Sequence, residues 1–87
     1  MATVWIPSLM RSLTDGAERV TVSGTTLREV LDNLDKAYPG LKERLCEGDR
    51  ITPTITVVVD GEMGVEGLHH PIQEQSEIHF LPVISGG

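Results

Sequence analysis

Apolar and polar residues alternate with a period of two in four stretches of the chain and recur at helical spacing in one. In residues 3–7, Val4 and Ile6 fall on one face and Trp5 on the other, and in residues 18–22 Val20 and Val22 fall together. Alternation of this kind predicts two strands, which pair. The link between them, residues 8–17, carries the turn signal Asp15-Gly16 but is long enough to be a mobile loop rather than a tight hairpin. Gly24-Thr25-Thr26 opens the clearest helix. Thr26 is placed to cap, Glu29 three residues later completes a capping box, and Leu27, Val30, Leu31 and Leu34 form one apolar stripe. Ala37 and Tyr38 extend the stripe until Pro39-Gly40 ends it, and Leu41, Leu45 and Cys46 suggest one further short helical turn. Residues 51–59 predict the strongest strand, with Ile51, Pro53, Ile55, Val57 and Val59 on one side, ending at the turn Asp60-Gly61. Pro53 has no amide donor, so its end of the strand belongs at an edge or before regular pairing begins. Glycines 61, 64 and 67 mark irregular chain, and residues 76–82 form the last strand, with Ile78 and Phe80 inward and His79 and Leu81 outward.

The order is strand, strand, helix, strand, irregular segment, strand. One helix with a single apolar stripe needs one sheet face to cover it, which sets an α+β class: a mixed sheet of four to five strands packed on one main helix. If the first two strands pair and the crossover after the helix is right-handed, the first and last strands become central parallel neighbours. This is the β-grasp arrangement of ubiquitin-like proteins. On this reading residues 1–82 make the domain and residues 83–87 a flexible tail.

A chain of 87 residues supports one modest core and no second lobe to enclose a substrate, so a self-sufficient enzyme is disfavoured. Thirteen acidic residues against seven basic ones give a net charge of −6, which argues against nucleic acid as a ligand. The same excess also serves simply to keep a small domain in solution. The single cysteine, Cys46, forms no internal disulfide; there is no basic and apolar leader at Met1 and no apolar run near the length of a membrane helix. A cytoplasmic protein with no membrane partner is expected.

Candidate chemistry concentrates at the other end. The last strand runs into Ser85-Gly86-Gly87, where a pair of glycines adds nothing to a core and loses the most entropy on being ordered. Two terminal glycines arise by chance in roughly one chain in two hundred, so the ending gains weight only from what precedes it. Glu66-Gly67-Leu68-His69-His70-Pro71-Ile72, and then Glu77-Ile78-His79-Phe80-Leu81-Pro82-Val83-Ile84-Ser85-Gly86-Gly87, resemble the closing pattern of the MoaD/ThiS family of sulfur carriers. Two positions depart from the family's usual pattern: Gln73-Glu74-Gln75-Ser76 replaces an Asp/Gly-rich turn, and Ser85 stands where alanine is common.

The resemblance implies that Gly87 is adenylated and then converted to a thiocarboxylate that donates sulfur in cofactor or amino-acid biosynthesis. Val83, Ile84, Ser85 and Gly86 would thread the tail into a partner's active site, while Trp5 and Leu81 would form the docking patch. For Trp5, packing at the edge of the core is an equally good reading. The implied partners are a ubiquitin-activating-type adenylating enzyme that uses ATP, a sulfur donor protein and a sulfur-accepting biosynthetic enzyme. No bound cofactor and no catalytic residue are expected in this chain, which contains neither GxGxxG nor GxxxxGK[ST]. His69, His70 and His79 lack a ligand spacing, so no metal is expected. Cys46 reads better as a small packing residue than as a persulfide acceptor. A molybdopterin synthase small subunit, a ubiquitin-like modifier conjugated through Gly87, and a β-grasp module that binds without covalent chemistry are the competing functions.

Overall fold

The computed structural model describes residues 1–63 and 67–82. Along the chain, β1 (Ala2–Trp5) and β2 (Arg19–Val22) precede α1 (Leu27–Ala37) and α2 (Leu41–Leu45). The strands β3 (Cys46–Glu47), β4 (Arg50–Ile51), β5 (Ile55–Val59), β6 (Glu62–Met63) and β7 (Glu77–Pro82) follow. Five of them form one sheet in the order β2-β1-β7-β5-β6, and β3 and β4 make a separate two-stranded hairpin. β1 and β7 are parallel central neighbours, and the other pairs in the sheet are antiparallel. This is the β-grasp arrangement expected from the element order.

α1 forms because three local signals agree. Thr26 caps it by accepting the Glu29 amide, and the Glu29 carboxylate reaches back to both the amide and the hydroxyl of Thr25, one residue earlier than in the simplest capping box. The Leu27 amide, which the helix itself leaves unpaired, donates to the His70 carbonyl at 3.0 Å. The stripe Leu27, Val30, Leu31 and Leu34 is at most 1% exposed and packs with Val4, Ile6, Val57, Val59, Ile78 and Phe80 from the inner face of the sheet. Burying each such side chain contributes on the order of 2 kcal/mol. Gly24 lets the chain enter α1: at φ +153° a Cβ there would lie 2.8 Å from both the Val30 side chain and the Val30 amide nitrogen.

Several elements differ from the sequence pattern. The link after β1 is a 3-10 turn over Ser8–Thr14 rather than a loop, closed by the Thr14 hydroxyl between the carbonyls of Arg11 and Ala17. The strand predicted over residues 51–59 starts only at Ile55. Pro53 breaks the ladder, the Ile55 amide turns back to the Thr52 carbonyl, and Ile51 pairs instead with Cys46. Cys46 accordingly belongs to β3 and not to the short helix α2. Glu62 and Met63, read as irregular chain, form β6 through a two-residue Asp60-Gly61 turn whose φ angles, +51° and +84°, suit a tight hairpin.

Candidate functional site

β7 carries the chain toward Gly86-Gly87, and its beginning is tied down by the turn after β5. The Asp60 carboxylate accepts the Ser76 hydroxyl at 2.8 Å and the Glu77 amide at 2.9 Å, while the Asp60 amide donates to the Glu77 carbonyl at 2.9 Å. Ser76 is 1% exposed, and its hydroxyl also accepts the Gln73 amide. Further along, β1 pairs with β7 only as far as Trp5 opposite His79, whereas β5 pairs with it through Ile55 opposite Pro82. Val83, Ile84, Ser85, Gly86 and Gly87, expected to form the reactive tail, lie outside the described residues.

The sheet face opposite α1 holds both residues expected in a docking patch. Strand register aligns Arg19, Trp5, His79, Val58 and Met63 in one row across all five strands. Trp5 is half-buried there rather than in the core; it stacks on His79 with centroids 5.4 Å apart and planes within 7°. The Arg19 guanidinium lies 5.5 Å from the Trp5 ring, and the indole N–H donates to Glu77 at 3.2 Å. Leu81, 49% exposed, stands one step further along β7 on the same face. Trp5 and Leu81 thus share a surface, with His79 between them in sequence register.

Beside Leu81 the surface opens into a groove of about 530 Å³ between the 3-10 turn and the ends of β5 and β7. It exists because β1 leaves the sheet at Trp5 while β7 runs on, and Pro7 sends the chain over the gap as the 3-10 turn. Leu9 at its rim is 89% exposed and Phe80 on its wall is 4% exposed. Sequence reasoning missed this feature because its lining comes from four separate stretches of chain. The one local signal was Leu9-Met10, a pair of large apolar residues inside a presumed loop.

The other candidates take structural roles. Cys46 is buried, and burial pushes its thiol up from its ordinary value, which disfavours the thiolate. Among the described residues no three His, Cys, Asp or Glu side chains come together as a ligand set. His79 is spoken for by its stack on Trp5. The Lys42 ammonium donates to Asp32, which holds the Asp32 carboxyl below and the Lys42 ammonium above their ordinary values. The N-terminal ammonium donates to Glu74 and holds its carboxyl below its ordinary value. No described helix is long and apolar enough to cross a membrane.

The family model for the ThiS family matches residues 4–87. Sulfur carrier protein CysO of Mycobacterium tuberculosis is 31% identical over 90 residues, covering 98% of this chain and 97% of the relative. A chain in the crystal structure of the Amycolatopsis orientalis BexX/CysO complex superposes with a TM-score of 0.92 at 29% identity, with each chain fully covered. Small archaeal modifier protein 1 of Methanosarcina acetivorans superposes with a TM-score of 0.78 at 27% identity, covering 99% of this chain and 95% of the other. A β-grasp sheet whose central last strand leads to Gly-Gly, matched along nearly its whole length, places this chain in the ThiS family.

Proposed function

We propose that this protein is a sulfur carrier and not an enzyme: it presents the Gly87 carboxylate, and partner enzymes do the chemistry on it. A carboxylate is a poor acylating group because its leaving group is oxide. Attack of its oxygen on the α-phosphorus of ATP, in an adenylating enzyme of the ubiquitin-activating type, releases pyrophosphate and forms an acyl adenylate. Hydrosulfide then displaces AMP and leaves a thiocarboxylate; where the sulfur donor is a protein persulfide, a thiol must also reduce the acyl disulfide that forms first. The sulfur-accepting enzyme takes the sulfur, and hydrolysis restores the carboxylate.

The observation that carries this reading is the position of β7. It is the central strand, clamped at its start by Asp60 and paired through Pro82, and the sequence that follows it is Val83-Ile84-Ser85-Gly86-Gly87. A fixed body is therefore followed in sequence by a segment whose last two residues carry no side chain to obstruct a narrow channel. Trp5 and Leu81 on the outer face serve as the docking patch, and ATP is bound by the activating partner. The cytoplasm, where thiocarboxylates survive, is the compartment that suits this cycle.

The likeness to small archaeal modifier protein 1 favours a second reading, in which Gly87 is joined to lysines of other proteins. Intact-mass and peptide mass spectrometry of protein from its native cells separates the two. One terminal oxygen replaced by sulfur is the expected result; an isopeptide from Gly87 to lysine, with no sulfur-bearing form, selects the modifier. Sulfur transfer that continues after deletion of Gly86 and Gly87 refutes the carrier reading.

A further inference from the structure

We infer that the groove beside Leu81 is a docking site for a protein segment that presents a large apolar side chain flanked by carboxylates. The groove is separate from the row through Trp5 and His79, and the inference holds for a carrier and for a conjugated modifier alike.

Its walls combine Leu9, Met10, Ile55 and Leu81 with the two cations Arg11 and Arg44, and among the described residues no carboxylate lines it. That is unusual in a chain with a net charge of −6. The described ion pairs engage the N-terminal ammonium, Arg28 and Lys42, but neither Arg11 nor Arg44 pairs with a described carboxylate. Two guanidinium groups with no described carboxylate partner, over an apolar floor, attract a carboxylate and repel a basic segment. The volume, about 530 Å³, falls within the range of clefts that enclose a small ligand.

The wall formed by the 3-10 turn is held in place without an occupant. The Met10 amide donates to the Pro7 carbonyl, the Arg11 Nε donates to the Ile6 carbonyl, and the Thr14 hydroxyl donates to the carbonyls of Arg11 and Ala17. That anchored turn nevertheless holds Leu9 out with 89% of its surface exposed. Covering Leu9 and Leu81 together requires a second apolar group laid between them, which a partner's Leu or Phe supplies. Because Leu81 also faces the outer surface of the sheet, a segment seated here abuts the point where the last five residues of the chain begin.

The test is an NMR titration of the full ¹⁵N-labelled chain with two synthetic peptides, acetyl-Glu-Phe-Leu-Glu-amide and acetyl-Lys-Phe-Leu-Lys-amide. The acidic peptide is expected to shift the amides of Leu9, Met10, Arg11, Arg44, Ile55 and Leu81, with affinity that falls as salt rises. Leu9→Ser, and Arg11→Glu combined with Arg44→Glu, should each weaken it roughly fivefold or more. Arg44→Glu alone serves as a second variant, since Arg11 also helps to hold the turn. The basic peptide should leave these amides unmoved. Equal binding of both peptides, no shifts, or shifts confined to the Trp5 and His79 row would overturn the inference. So would tighter peptide binding after deletion of residues 83–87, which would make the chain's own end the occupant. Groove shifts that grow with protein concentration in the absence of peptide would equally overturn it in favour of a second copy.

Discussion

Asp60→Ala should unfasten the start of β7, and its cost follows from three separate losses. The Ser76 hydroxyl, in a residue 1% exposed, would lose the acceptor for its proton, which costs about 1–3 kcal/mol. The Glu77 amide would lose a charge-assisted partner but stands near solvent, so about 0.5–1 kcal/mol is lost there. Alanine at φ +51° adds about 1 kcal/mol of backbone strain. A total of about 3 kcal/mol corresponds to a fall in Tm of roughly 12–24 °C for a domain of this size. Asp60→Gly, which accepts the positive φ, should cost less than Asp60→Ala and so isolates the hydrogen bonds. Ser76→Ala removes the other partner, and the double variant should show a coupling of about 1–2 kcal/mol. The assay is urea unfolding followed by fluorescence of Trp5, the only tryptophan, and by far-UV circular dichroism. If Asp60→Ala stays within about 0.5 kcal/mol of the parent, or the coupling is indistinguishable from zero, the clamp does not hold β7.

Thr26→Ala removes the acceptor for the Glu29 amide and should cost about 1 kcal/mol in urea unfolding, with Thr26→Ser largely restoring it. The Asp32–Lys42 pair gives stability a defined pH window. The Asp32 share is complete above its ordinary value of 3.8 and is lost as pH falls through the lowered one; the Lys42 share is complete below 10.5 and is lost as pH rises through the raised one. Lys42→Met should therefore flatten both limbs of a Tm against pH curve, and limbs unchanged from the parent would count against the pair. Cys46, buried with its thiol pushed up, should react with iodoacetamide at least about a hundredfold more slowly in the folded chain than in urea. Fast alkylation without unfolding would show that the site opens locally.

What could be read from the sequence was whatever a single stretch of chain specifies. α1 was legible because cap, stripe and stop agree at Thr26, Leu27 to Leu34, and Pro39-Gly40. The parity of β7 was equally plain, and Leu81 is exposed where Ile78 and Phe80 are buried. The early start given to β5 was an error of parity without pairing: Ile51 alternates in phase with Ile55, but its partner is Cys46 across a tight turn at Gly48. Strands of two residues, as in β3, β4 and β6, are too short for any period to register. The groove was invisible for a related reason. It depends on β1 ending two residues before β7 reaches Leu81, a relation between strands far apart in sequence.

Two opposed demands meet at the end of β7. A carrier must present its terminus to more than one partner, so the terminus needs reach, yet each partner must find it at a repeatable place, so its origin needs to be fixed. The second demand is met by pairing with β5 through Pro82 and by the Asp60 clamp. The first is bounded by length: residues 83–87 span at most about 17 Å when fully extended. Under the proposed function, an enzyme that acts on Gly87 would have to bring its reactive centre within that distance of Pro82. The two surfaces proposed for docking, the Trp5 and Leu81 face and the groove between Leu9 and Leu81, meet at Leu81. If both proposed docking modes hold, Leu81 is the position where they, and hence successive partners, would compete for the same side chain.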